Sequence, residues 1–126
     1  MRRTTTALAA AALGALAMLA PTAAAKDGDI EVAGTCTRAT TSELKLSEED
    51  GGIEAEFEVD QNRNGVRWRI RLFHNGRLIA NTVRVTRGPS GSFEVERRTA
   101  NRPGVDRFVA RATRAGERCT ARASWT

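Results

Sequence analysis

The sequence predicts an all-β protein, a two-sheet sandwich of seven to eight short strands, and three observations predict it. Apolar residues recur at every second position, most regularly where Ile53, Ala55, Phe57 and Val59 alternate with Glu54, Glu56, Glu58 and Asp60. Turn residues, among them Asn75-Gly76 and Pro103-Gly104, punctuate the chain at a spacing of about ten residues. After the amino-terminal segment, no stretch sustains the apolar period of about 3.6 residues that an amphipathic helix needs.

That amino-terminal segment is set apart by composition. Residues 1–25 carry a short cationic head (Arg2, Arg3), an apolar run over residues 7–20 and a small-residue tail ending in an A-x-A site at Ala25. This is the pattern of a secretory signal peptide, and it implies a secreted, extracellular protein. Residues 26–126 remain as one domain of about 100 residues. Nothing in them approaches the roughly 18 consecutive apolar residues of a membrane helix, so no transmembrane anchor is expected.

The elements follow in order. Ile30, Val32, Gly34 and Cys36 alternate with polar or small residues and predict a first strand; Leu44 and Leu46, set between Glu43, Lys45 and Ser47, predict a short second one. Residues 48–52, Glu-Glu-Asp-Gly-Gly, turn the chain into the Glu-rich strand from Ile53. A polar loop over residues 61–65 leads to a hairpin in which Val66, Trp68, Ile70 and Leu72 alternate with Arg67, Arg69 and Arg71. Asn75-Gly76 supplies the two positive-φ residues of a type I′ turn. Folding back there pairs Leu72 with Ile79, Ile70 with Asn81, Trp68 with Val83 and Val66 with Val85, and places Arg84 beside Arg67. Residues 87–91 break the chain before Phe93 and Val95 alternate with Glu94 and Glu96. After Pro103-Gly104, Phe108, Ala110 and Ala112 face one way, and a turn over residues 114–117 brings Cys119, Ala121, Ala123 and Trp125 to meet them.

Two cysteines in an exported chain predict a Cys36–Cys119 disulfide in a monomeric protein. It would close a loop of roughly 80 residues and contribute on the order of 4 kcal/mol. Redox or metal roles find little support, because there is no C-x-x-C and His74 is the single histidine.

The run from Pro103 to Ala112, with the turn and strand after it, resembles the E-F corner and F-G hairpin of immunoglobulin-like and fibronectin type III-like domains. Trp68 stands where immunoglobulin-like domains keep a core Trp. Two features depart from antibody-type domains: the corner aromatic is Phe108, which has no hydroxyl, and the cysteines would join the first and last strands. The chain also resembles small secreted proteins of high-GC Gram-positive bacteria. These resemblances imply an immunoglobulin-like sandwich and an extracellular address, and no activity.

With strands distributed as in such a sandwich, one sheet shows solvent an acidic face of Glu54, Glu56, Glu58, Asp60, Glu94 and Glu96. The other shows Arg67, Arg69, Arg71, Arg84, Arg107, Arg111, Arg118 and Arg122 with no carboxylate among them. Without Arg2 and Arg3 the charge is 18 basic against 15 acidic, which is modest. Apart from Lys26 and Lys45 every basic residue is Arg, a bias that a GC-rich genome produces without a functional cause. Two readings of the arginine face follow. Guanidinium stems can simply cover apolar surface with their heads in water, or the face docks an anionic partner such as a cell-wall polymer phosphate, lipid headgroups or nucleic acid. A nucleic-acid partner is disfavoured, since only Phe73 offers a stacking platform there.

Enzyme chemistry is not indicated. His74 beside the hairpin turn reads as an exposed loop residue, and carboxylates two apart on an open strand need no shifted pKa. No nucleophile elbow, phosphate-binding glycine loop, cofactor motif or metal-ligand cluster is found. Two function classes follow: a non-enzymatic binding or adhesion module using the arginine sheet, and a small-molecule carrier or inhibitor using loops or a cleft. For the second, Ala110, Ala112, Ala121 and Ala123 could leave room for a ligand at one end of the core, or serve only to fit Trp68 and Trp125.

Overall fold

The alternating stretches fold as strands in a computed structural model that describes residues 28–126. The expected signal peptide and the start at Lys26 lie outside the described residues. In order the strands are β1 (Ile30–Ala33), β2 (Thr35–Cys36), β3 (Thr41–Glu49), β4 (Gly52–Asp60), β5 (Arg67–His74), β6 (Arg77–Val85), β7 (Ser92–Ala100), β8 (Asp106–Arg114) and β9 (Glu117–Trp125). They form two antiparallel sheets, β1-β3-β4-β7 and β2-β9-β8-β5-β6. Among the described residues no helix is long and apolar enough to cross a membrane.

The described residues form nine strands, one more than the eight stretches expected, because the first expected strand divides at Gly34. β1 pairs with β3 in one sheet, whereas β2 pairs with β9 in the other. The crossing needs glycine: a Cβ there would collide with the Ser42 hydroxyl and lie 3.0 Å from the Thr120 carbonyl oxygen. The switch carries Cys36 opposite Cys119, and the two are joined as a disulfide. β3 is also longer than expected, since Glu48 and Glu49 pair with Ile53 and Gly52 around a turn at Asp50-Gly51.

Inward-facing residues of both sheets make one core. Leu44, Leu46, Ile53, Ala55, Phe57, Val59, Phe93 and Val95 come from the first sheet; Trp68, Ile70, Leu72, Phe108, Ala110, Ala112, Cys119, Ala121 and Ala123 come from the second. The four alanines are buried in the same cluster as Trp68, with Trp125 half-buried against it. Removing this much apolar surface from water drives the sheets together.

Polar groups close the core at both ends. At one end the Trp68 indole donates to Gln61 Oε1 (3.0 Å), and Gln61 and Arg114 donate to the buried Glu117 carboxylate at 3.3 and 2.6 Å. At the other, His74 Nε2 lies 2.6 Å from Asp106 Oδ1, with His74 stacked on Phe108. His74 is therefore buried and paired, which corrects the expected exposed loop residue. The reason is phase: the Asn75-Gly76 turn is so tight that β5 continues to His74, two positions beyond Leu72 on the inward side.

The hairpin turn is type I′, with φ of 47° at Asn75 and 80° at Gly76. Beyond it the expected register fails. Phe73 faces Leu78, but Leu72 faces Ala80, so Ile79 is an extra residue in a β-bulge. Every pair past the bulge slips by one: Ile70 faces Thr82, Trp68 faces Arg84, and Arg67 faces Val85. Val83 and Val85 turn to the outer face, and Arg84 turns to the side of Trp68.

Candidate anion-binding surface

Strict alternation on three neighbouring strands positions the surface. On β5, Arg67, Arg69, Arg71 and Phe73 point outward because Trp68, Ile70, Leu72 and His74 point in. β8 adds Arg107, Val109, Arg111 and Thr113, and β9 adds Arg118, Thr120, Arg122 and Ser124. The register arranges them in rows: Arg69, Thr113 and Arg118; Arg71, Arg111 and Thr120; Phe73, Val109 and Arg122. Seven of the eight expected arginines thus share one exposed face. Arg84 does not join them: the bulge places it on the opposite side of β6, where its guanidinium donates to Thr82 Oγ1 (2.8 Å) and the Val83 carbonyl (3.1 Å).

No outward position of β5, β8 or β9 carries a carboxylate, and among the described residues none of the seven arginines makes an ion pair. Arg69 donates to Asn81 Oδ1 (2.8 Å), and Arg111 lies over the Phe73 ring at 5.7 Å. Arg71 and Arg111 stand directly opposite each other, a like-charge pairing that disfavours the sheet. A shallow groove of about 550 Å³ runs between Arg71, Arg111, Arg118 and Arg122, with the Thr113 and Thr120 side chains in its wall. Beside it, an open hollow of about 520 Å³ is lined by Phe73, Val105 and Val109 and flanked by Arg107 and Arg111.

The opposite face of the molecule inverts this layout. Glu43, Glu58 and Glu94 lie in one cross-strand row, and Glu31, Lys45, Glu56 and Glu96 in the next. Glu54, Asp60 and the other expected carboxylates share the same side. The two cations there are paired: Lys45 with Asp29 at 3.6 Å, and Arg98 with Glu49 and Glu54 at 3.2 and 3.3 Å. Crowding raises the carboxyl pKa values. Glu94 is pushed up to about 8, first by desolvation and then by hydrogen bonds and repulsion from Glu96 and Glu56. Glu58 is raised by desolvation and by Glu43, Asp60 and Glu56. One oxygen from each of Glu54, Glu56 and Glu96 falls within 4.8 Å of the others, a spacing that exposed acidic strands reach without an ion.

The pattern missed two buried polar groups, Asp106 and Glu117. Both occupy inward positions of their strands, Asp106 in phase with Phe108 and Glu117 in phase with Cys119, and that phase was the available signal. They hold the corners of the arginine sheet: Asp106 Oδ2 accepts from the Arg102 backbone N–H, and Glu117 binds Arg114.

Fold and surface together define a disulfide-linked two-sheet β-sandwich whose outer faces carry opposite charge. The chain matches no protein-family model, and neither the curated proteins nor the solved structures searched contain a match to it.

Proposed function

We propose that the protein is a secreted, non-enzymatic binding module that docks a phosphate-bearing cell-wall polymer on its arginine face. The observation that carries this reading is the row structure of seven exposed, carboxylate-free arginines. Guanidinium forks match phosphate oxygens. Alternate strand positions repeat at about 7 Å, so a flexible polyanion can meet several forks at once. The Thr113 and Thr120 hydroxyls in the groove wall add neutral donors. Nucleic acid fits less well, because the Phe73 ring is already covered by Arg111.

Retention on a purified anionic wall polymer tests the reading. Wild type should bind at about 20 mM salt and release steeply towards about 150 mM, as exposed charges are screened over about 8 to 10 Å. Arg69→Glu with Arg71→Glu should abolish retention and leave the fold intact, since both side chains are exposed. Equal retention of the double variant would refute the proposal.

A second reading, a carrier or inhibitor for a small amphiphilic anion, draws on the hollow beside the hairpin turn. Phe73, Val105 and Val109 give it an apolar floor within reach of Arg107 and Arg111. Thermal stabilisation by alkyl carboxylates, unchanged in the Arg69 and Arg71 double variant, would favour it.

A further inference from the structure

The two outer faces are opposite in sign and share one lattice. On each, charged side chains repeat at alternate strand positions, about 7 Å apart along a strand and about 4.8 Å between strands. Among the described residues Glu43 and Glu58, opposite each other on β3 and β4, have no basic partner, just as Arg71, Arg111 and the other outward arginines of β5, β8 and β9 have no acidic one. Each face therefore carries unpaired charge that the other can match, the cations Lys45 and Arg98 of the acidic face being already paired. Overall charge does not keep copies apart, because 18 basic residues nearly balance 15 acidic ones once Arg2 and Arg3 are excluded.

We propose that the acidic face of one copy docks on the arginine face of a second copy, head to tail, so that the protein assembles into an open stack. The two patches lie on opposite sides of the molecule, so the contact is heterologous: every docked copy leaves one face of each sign free for the next. Sheets of the same twist stack with strands about 30° apart, which lets rows of guanidinium and carboxylate interleave. The three nine-residue strands of the acidic sheet cover about 30 Å by 14 Å, the four-residue β1 adds a little, and a contact removes roughly 1,000 Å² from water over both partners. That is at the low end for a specific interface, so assembly is weak, concentration-dependent and sensitive to salt. The inference goes beyond polymer docking. It shares the arginine face with that reading but requires the carboxylate face, which a polyanion would avoid.

Sedimentation velocity on the purified protein tests it, from about 10 μM to about 1 mM at about 20 mM salt. Average mass should climb with concentration past twice the monomer, and fall back to monomer at about 500 mM salt. Glu43→Gln with Glu58→Gln, and separately Arg71→Gln with Arg111→Gln, should each weaken association by roughly tenfold or more. All four side chains are exposed, so the fold should hold. An equimolar mixture of the two variants should give a one-to-one pair that does not grow, since each supplies only one intact face. The acidic-face variant should still bind wall polymer, which separates failure of stacking from failure of polymer docking. A wild type that stays monomeric at low salt overturns the proposal without any substitution. A plateau at dimer, unchanged stacking of the acidic-face variant, or a mixture that fails to pair also overturns it.

Discussion

Asp106→Ala should be among the most damaging single substitutions in the chain. Asp106 is fully buried, its Oδ1 lies 2.6 Å from His74 Nε2, and its Oδ2 accepts from the Arg102 backbone N–H at 3.3 Å. Alanine removes both acceptors and strands the buried His74 ring nitrogen. An orphaned buried polar group costs about 1–3 kcal/mol, and breaking a buried pair about 3–5. We expect a loss of about 3 kcal/mol, or roughly 15 °C in Tm for a domain of this size. His74→Leu combined with Asp106→Leu removes the pair together, leaves the N–H of the exposed Arg102 to water, and should lie within about 1 kcal/mol of wild type. Urea unfolding of wild type, His74→Leu, Asp106→Leu and the double variant measures the coupling, with an expected value of at least about 1.5 kcal/mol. Additive single effects, or an Asp106→Ala loss below about 0.5 kcal/mol, would refute the argument that this pair closes the end of the core.

Gly76→Val should cost about 1–2 kcal/mol. Open space surrounds the site, so the loss comes from a φ of 80° that a β-branched residue resists, and an unchanged urea midpoint would exclude the I′ turn. Replacing Cys36 and Cys119 together by Ala should lower stability by roughly 4 kcal/mol, given a sequence separation of 83, and thermal unfolding with and without reductant on wild type should show the same loss. Glu94 keeps its proton to about 8 in the folded protein but ionises near 4.5 when unfolded. Its contribution to stability is therefore complete below the ordinary carboxylate range and is lost as pH rises through about 8. Because the side chain is exposed, solvent limits the effect, so the midpoint should drop slightly between about pH 5 and about pH 9. Glu94→Gln should flatten that profile.

The parts of the fold that were legible are those where alternation is one-sided. In β4, and in β5 up to Leu72, the apolar residues occupy a single phase, so strand and facing are fixed together, and Arg67, Arg69 and Arg71 fell outward as expected; the alternation of Phe108, Ala110 and Ala112 and of Cys119, Ala121 and Ala123 did the same for the four outward arginines of β8 and β9. β6 failed because it offers apolar residues in both phases. Leu78, Ile79 and Ala80 are consecutive, and Val83 and Val85 fit either side, so nothing in the pattern opposes a one-residue slip. Arg84 moved with that slip. The sheet switch at Gly34 was hidden for a different reason: Ile30, Val32 and Cys36 alternate without a break, and only the closeness of Ser42 and Thr120 in space demands glycine there. His74 shows the converse error, a polar residue assigned by its type when its phase already placed it inside.

The sheet switch and the bridge also fix how tension would pass through the molecule. Cys36 lies near one end of the described chain and Cys119 near the other, so pulling on both ends loads the disulfide directly. Residues 37–118 sit inside the covalent loop and carry none of that load. Among the described residues only 28–35 and 120–126 can peel away, and at full stretch they span about 50 Å in all. β4, β5, β6, β7 and β8, with five of the seven outward arginines on β5 and β8, are shielded from the pull. Arg122 alone among the seven lies beyond the loop, so a tethered copy under shear would lose its β1 pairing first and keep most of its arginine face in shape.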